Sequence, residues 1–119
     1  MSHDQIFNLE EALDRVEQDH EILHTMAELF LEYGPKDLDA IKAALAAHDS
    51  ASVARAAHRL KGAVMQFCAP AAYEAVKTLE EAGKAGDLTR AMEVCAQLEI
   101  ELPRLVAVLR RLMDKGLAA

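Results

Sequence analysis

The stretch ARAAHRLKGAV, residues 54–64, puts a nucleophile, a cation and a glycine on one helical turn. His58 is followed by Lys61 at i+3 and Gly62 at i+4, and residues at those spacings are neighbours on a helix surface. Glycine costs about 1 kcal/mol against alanine in a helix interior, so Gly62 asks for a reason. A missing side chain beside the imidazole leaves room for a bulky group to reach a ring nitrogen. A histidine side chain in water is mostly neutral at cell pH and therefore nucleophilic. An ammonium at Lys61 can meet an anion carried on the ring. Together these residues suit a histidine that accepts and releases a phosphoryl group. The plain alternative is an exposed histidine on a solvated helix face.

A second histidine pattern competes. Residues 20–24 read HEILH, which matches H-E-x-x-H, two zinc-binding histidines with a glutamate that activates water. A catalytic zinc needs a third protein ligand, and His3, His48 and His58 have no fitting spacing to the motif. The same segment holds two overlapping E-x-x-H sets, Glu17 to His20 and Glu21 to His24. Di-iron bundles need such pairs on two different helices, so this reading fails too. No metal site is expected, and a zinc-dependent hydrolase on HEILH stays a remote alternative.

The elements that position these residues are helices. Asn8 with Glu11 fits a capping box for a short helix over about 9–15. Asp19 caps a second, on which Ile22, Met26, Leu29, Phe30 and Tyr33 follow helical spacing and form the expected core stripe. Gly34 should end it, and Pro35 should open a third carrying Leu38, Ile41 and Leu45. Asp49 or Ser50 caps the helix over about 51–67. There Val53, Ala57, Leu60, Val64 and Phe67 make one apolar stripe, and His58 points about 140° from its centre, with Gly62 and Met65 on the same outer side. Lys61, Arg55 and Arg59 lie nearby. Pro70 opens the next helix, with Tyr73, Val76 and Leu79 apolar. Asp87 caps the last, which Pro103 should kink or divide. No segment alternates like a strand. Five or six amphipathic helices with short connections predict an all-α, antiparallel bundle.

Bulk properties agree. The 119 residues are one domain's worth, and at 52% hydrophobic they can bury a core. A net charge of −7 argues against nucleic acid or an anionic membrane as the main partner. No apolar run approaches the roughly 18 residues of a membrane span. MSHDQIFNLEE lacks a basic region leading into an apolar run, so a cytoplasmic location is expected. Cys68 and Cys95 are too few for a disulfide framework, although a single bridge between them is conceivable.

AHRLKGAV resembles the signature of the histidine phosphotransfer (HPt) domain, A-H-x-L-K-G followed by small residues. FCAPAAYEAVKTLEEAGKAGD is similar to the family's following helix, with its leucine-glutamate pair at Leu79 and Glu80 and its glycine-aspartate turn at Gly86 and Asp87. AELFLEYGPKDLDAIKAALAAHD resembles the two preceding helices, so the likeness covers nearly the whole chain.

The resemblance implies a four-helix bundle with one or two accessory helices, a single domain over 1–119 with its bundle at about 19–114. It implies a carrier in a two-component phosphorelay, not an enzyme, that moves a phosphoryl group between receiver-domain aspartates through the Nε2 of His58. Lys61 would assist the phosphoryl group, and Gly62 would keep the ring accessible. Arg55, Arg59, Gly62, Met65 and Gln66 would form the docking surface. Partners would be receivers of response regulators or of a hybrid histidine kinase, the protein itself a stand-alone monomer. No cofactor is expected on this chain, and Mg²⁺ would come with the receiver. A phosphorylation-silent adaptor that docks on receivers is the alternative.

Two positions depart from the family pattern. Ala63 stands where serine is frequent. Cys68 stands where glycine is common, at a corner that favours a left-handed residue. Cysteine adopts that conformation poorly, so Pro70 is expected to stop the helix instead and the corner to change slightly.

Overall fold

A computed structural model describes residues 7–115. These form five helices: α1 (Leu9–Arg15), α2 (His20–Ala46), α3 (Ser50–Met65), α4 (Pro70–Ala85) and α5 (Leu88–Lys115). The four long ones pack in a closed ring, α2 on α3, α3 on α4, α4 on α5 and α5 back on α2. Connections of a few residues between consecutive helices make the neighbours antiparallel. No described helix is long and apolar enough to cross a membrane.

Local signals set the helix starts. The Asn8 side chain accepts the Glu11 N–H at 3.0 Å, Asp19 that of Ile22 at 3.1 Å, and Asp49 that of Ser52 at 3.1 Å. Between the two N-cap candidates, Asp49 does the capping and Ser50 begins the helix. Pro70 occupies the first turn of α4, and Gly86, at φ 72°, ends that helix in the left-handed region. The Asp87 carboxylate then accepts the Arg90 N–H at 3.1 Å.

Two expectations about α2 are corrected. Gly34 does not end a helix, and Pro35 does not open one, because α2 runs through both. Gly34 is instead a packing residue, buried so close to Phe30 that an added Cβ would meet its ring at 3.3 Å. An interior proline costs about 3 kcal/mol. Burial of Leu23, Ala27 and Phe30 before it and Ile41 and Ala44 after it offsets that cost on one continuous face. The second correction follows from the first. Across an unbroken helix the stripe is Leu23, Ala27, Phe30, Gly34 and Ile41, whereas Ile22, Leu29 and Tyr33 are about half exposed and Met26 is only partly buried. Splitting the segment at Gly34 hid the register.

Elsewhere the apolar reading holds. Val53, Ala57, Leu60, Val64 and Phe67 are all buried. Phe67 meets the Phe30 ring edge-on at 5.3 Å and the Phe7 ring at 5.9 Å, which ties α2 and the segment before α1 to the end of α3. Pro103 does not divide α5, which is one helix on both sides of it. The corner after α3 differs from expectation as well: Cys68 does take the left-handed conformation, at φ 52°. Its carbonyl accepts the Asn8 N–H at 3.2 Å, and Phe67 and Ala69 on either side are buried, so tertiary contacts hold the conformation. Cys68 and Cys95 are both free thiols.

Candidate functional site

Helix α3 presents His58 to solvent, with 69% of its side chain exposed, because its apolar stripe faces the other way. The ring is nevertheless tethered. Its Nδ1 lies 2.7 Å from Oε2 of Glu80, a residue on α4 whose side chain is only 4% exposed. Glu80 also holds Lys61, with Nζ 2.6 Å from Oε1, and Lys84, with Nζ 3.3 Å from Oε2. One buried carboxylate thus gathers an imidazole and two ammonium groups from two helices.

The electrostatics follow from this arrangement. The Lys61 hydrogen bond, then those from His58 and Lys84, hold the Glu80 carboxyl down at about 2 against the opposing effect of burial. Glu80 is therefore ionised at any ordinary pH, and a carboxylate only accepts hydrogen bonds. His58 must donate from Nδ1. In the neutral ring that leaves the lone pair on Nε2. Reciprocally, the bond to Glu80 raises the affinity of Lys61 for its proton.

The other sequence candidates fall around this centre. A Cβ built on Gly62 would meet nothing within 4 Å, so no packing within the chain demands a glycine and the surface there is open. Met65 is 40% exposed, and Gln66, also exposed, follows the last residue of α3. Arg55 donates to Ser52 Oγ at 2.8 Å, and Arg59 donates from Nε to Asp37 Oδ1 of α2 at 3.4 Å. Ala54, Arg55, His58, Arg59, Glu80 and Lys84 line an open cleft of about 460 Å³ between α3 and α4. On the opposite flank of α3, Met26, Leu29 and Tyr33 of α2 border a smaller apolar groove of about 200 Å³ with Ala63, Gln66 and Phe67.

The zinc pattern does not gather a site. His24 pairs with Glu28, Nε2 to Oε1 at 3.1 Å, and the described residues contain no group of three or more histidine, cysteine or acidic side chains placed to hold a metal ion. His3 lies outside the described residues.

Sequence reasoning missed the part played by Glu80 and Lys84. A signal was present. Val76 and Leu79 define the buried face of α4, and Glu80 at i+4 from Val76 falls on it. A carboxylate on an apolar face needs partners.

Comparison with known proteins adds the following. The family model described as Hpt domain matches residues 25–108. The crystal structure of the HPT domain from the Hpt sensor hybrid histidine kinase from Shewanella superposes with a TM-score of 0.86 at 18% sequence identity, covering 94% of this chain and 97% of that one. A search of curated proteins gave no match.

Proposed function

This chain belongs to the Hpt domain family, the phosphocarriers of phosphorelays, and on that premise we propose that His58 is its phosphoryl-carrying residue. The observation that carries the proposal is the 2.7 Å contact between His58 Nδ1 and the buried Glu80 carboxylate. With the proton held on Nδ1, Nε2 is the nucleophile, on a side chain that is 69% exposed. Nε2 attacks the phosphorus of an aspartyl phosphate on a receiver domain. The N–P bond forms as the bond to the aspartate oxygen breaks, and the aspartate leaves as a carboxylate. No proton need move, because Nε2 carried none. The product ring is cationic, and Glu80 stabilises that charge through the Nδ1–H it already binds. The reverse transfer passes through the same arrangement.

Such transfer depends on in-line placement and charge neutralisation more than on covalent chemistry. Lys61, with 26% of its side chain exposed, is placed to turn from Glu80 toward phosphoryl oxygens. Mg²⁺ would arrive with the receiver. We assign receiver docking to the ridge of Gly62, Met65 and Gln66 together with the apolar flank of Met26, Leu29 and Tyr33, and the rim charges Arg55 and Arg59 to orientation. We read the protein as a stand-alone monomeric carrier without kinase activity of its own.

The test is transfer from a labelled phospho-receiver to the wild type and to His58→Gln. Acid-labile, base-stable label on the wild type alone supports the reading. Label on neither, from receivers that phosphorylate a known phosphotransfer domain, favours a silent adaptor. Equal label on both would refute the assignment to His58.

A further inference from the structure

One turn from the site, helices α3 and α4 leave no room for a side chain between them at Gly83. A Cβ added to Gly83 would come within 2.8 Å of the Ala54 nitrogen, 3.1 Å of its Cα and 3.1 Å of the Ser50 carbonyl oxygen. All three atoms are backbone, so no side-chain rotation relieves the clash. The contrast with Gly62, where an added Cβ meets open space, is complete. Gly83 is buried in the last turn of α4, short of the left-handed Gly86 cap and without a positive φ, so its backbone conformation does not ask for a glycine.

The contact is in register with the site. Ala54, His58 and Lys61 follow i, i+4, i+7 spacing and share the α3 face toward α4, while Glu80 precedes Gly83 by three residues on α4. The helix separation at Gly83 therefore sets the reach from the Glu80 carboxylate to the ring.

We propose that Gly83 is a positioning residue: its missing Cβ lets α4 come close enough to α3 to seat the Glu80 carboxylate on His58 Nδ1. The inference rests on the phosphocarrier reading for its consequence but not for its test. A shift of α4 away from α3 stretches a hydrogen bond that fixes the tautomer, and the free imidazole then reverts toward its usual Nε2–H form, which is not nucleophilic at Nε2.

The experiment is ¹⁵N NMR of the His58 ring, in protein labelled at histidine, without phosphate or receiver. Wild type should show mainly the Nδ1–H tautomer. Gly83→Ala should move the population toward Nε2–H and slow transfer about tenfold at saturating receiver, with KM for the receiver unchanged. Ala54→Val adds bulk in the cleft between α3 and α4 that Ala54 lines with His58 and Glu80, and should shift the tautomer likewise, which covers the case in which Gly83→Ala does not fold. Leu105→Ala, a core truncation on α5, should lower the melting temperature and leave the His58 spectrum alone. A wild-type ring in the Nε2–H form would overturn the proposal, as would Gly83→Ala or Ala54→Val keeping the wild-type tautomer. Equally, a gain in melting temperature in Gly83→Ala, as helix propensity alone dictates, would mean that the close contact does not exist. Because the tautomer needs no receiver, its outcome stands apart from whether His58 carries phosphate.

Discussion

The two flanks of α3 are built from opposite materials. Toward α4 the flank holds one buried carboxylate, two lysines that pair with it, and a glycine at which an added Cβ would strike the α3 backbone. Toward α2 it borders an apolar groove whose rim, Leu29 and Tyr33, is about half exposed, with Arg59 and Asp37 as a polar edge. The first flank can fix a proton and bear a charge, and its open cleft is lined by charged side chains. The second is apolar and has nothing to react, and on the proposed docking it is the side that would hold a receiver. His58 and Gly62 lie on the ridge between them. A carrier that must dock transiently and transfer fast is served by this division, because affinity and rate can then change independently.

Variants that break the polar flank should have the largest effects. Glu80→Met keeps the volume and removes the acceptor. Removing one partner of a buried ion cluster costs stability, but His58, Lys61 and Lys84 all reach water, so the variant should fold with a lowered melting temperature while transfer falls by about 100-fold. A stopped-flow or quench measurement that found the wild-type rate would dissociate Glu80 from the chemistry. Gly62→Arg should follow, slowing transfer about tenfold by crowding the approach to Nε2 while leaving the circular-dichroism spectrum intact. Lys61→Ala should slow transfer several-fold and reduce its salt dependence if, as proposed, Lys61 meets the phosphoryl group as a point charge.

The apolar flank should respond in another quantity. Tyr33→Ala should weaken receiver binding by about 1 kcal/mol, or several-fold in Kd by calorimetry, with the rate at saturation unchanged. A changed saturating rate with unchanged Kd would erase the division between the flanks.

Acid acts on the stability of the polar flank rather than on transfer. Glu80 is held at about 2 in the folded protein against an ordinary 4.5, so the folded state favours its ionised form. The stabilisation is fully present above the unfolded value and is lost as pH falls from about 4.5 toward 2, on the order of 3 kcal/mol at most. Urea midpoints measured across that window should drop more steeply for wild type than for Glu80→Met.

The difference between the flanks also explains what the sequence disclosed. That His58, Lys61 and Gly62 share one turn was readable because i, i+3 and i+4 on a helix are neighbours whatever the fold. The α3 stripe was readable because its 3.6-residue period is unbroken from Val53 to Phe67. The polar flank was not, since Glu80 lies twenty-two residues from His58 and only the packing of two helices joins them. The apolar flank was misread for a local reason. Glycine followed by proline is normally a stop and a start, and assigning them so turned Leu29 and Tyr33 inward, when the uninterrupted helix turns them out. Cys68 taught the converse, that buried neighbours can impose a glycine-like conformation on a residue that disfavours it.

The measurement that tests the central claim most directly is ³¹P–¹⁵N coupling in the phosphorylated protein, with ¹⁵N in the histidine rings. If Glu80 holds the proton on Nδ1, the phosphorus couples to Nε2 of His58 and Nδ1 still carries its hydrogen. Coupling to Nδ1, or to another histidine, would contradict the account.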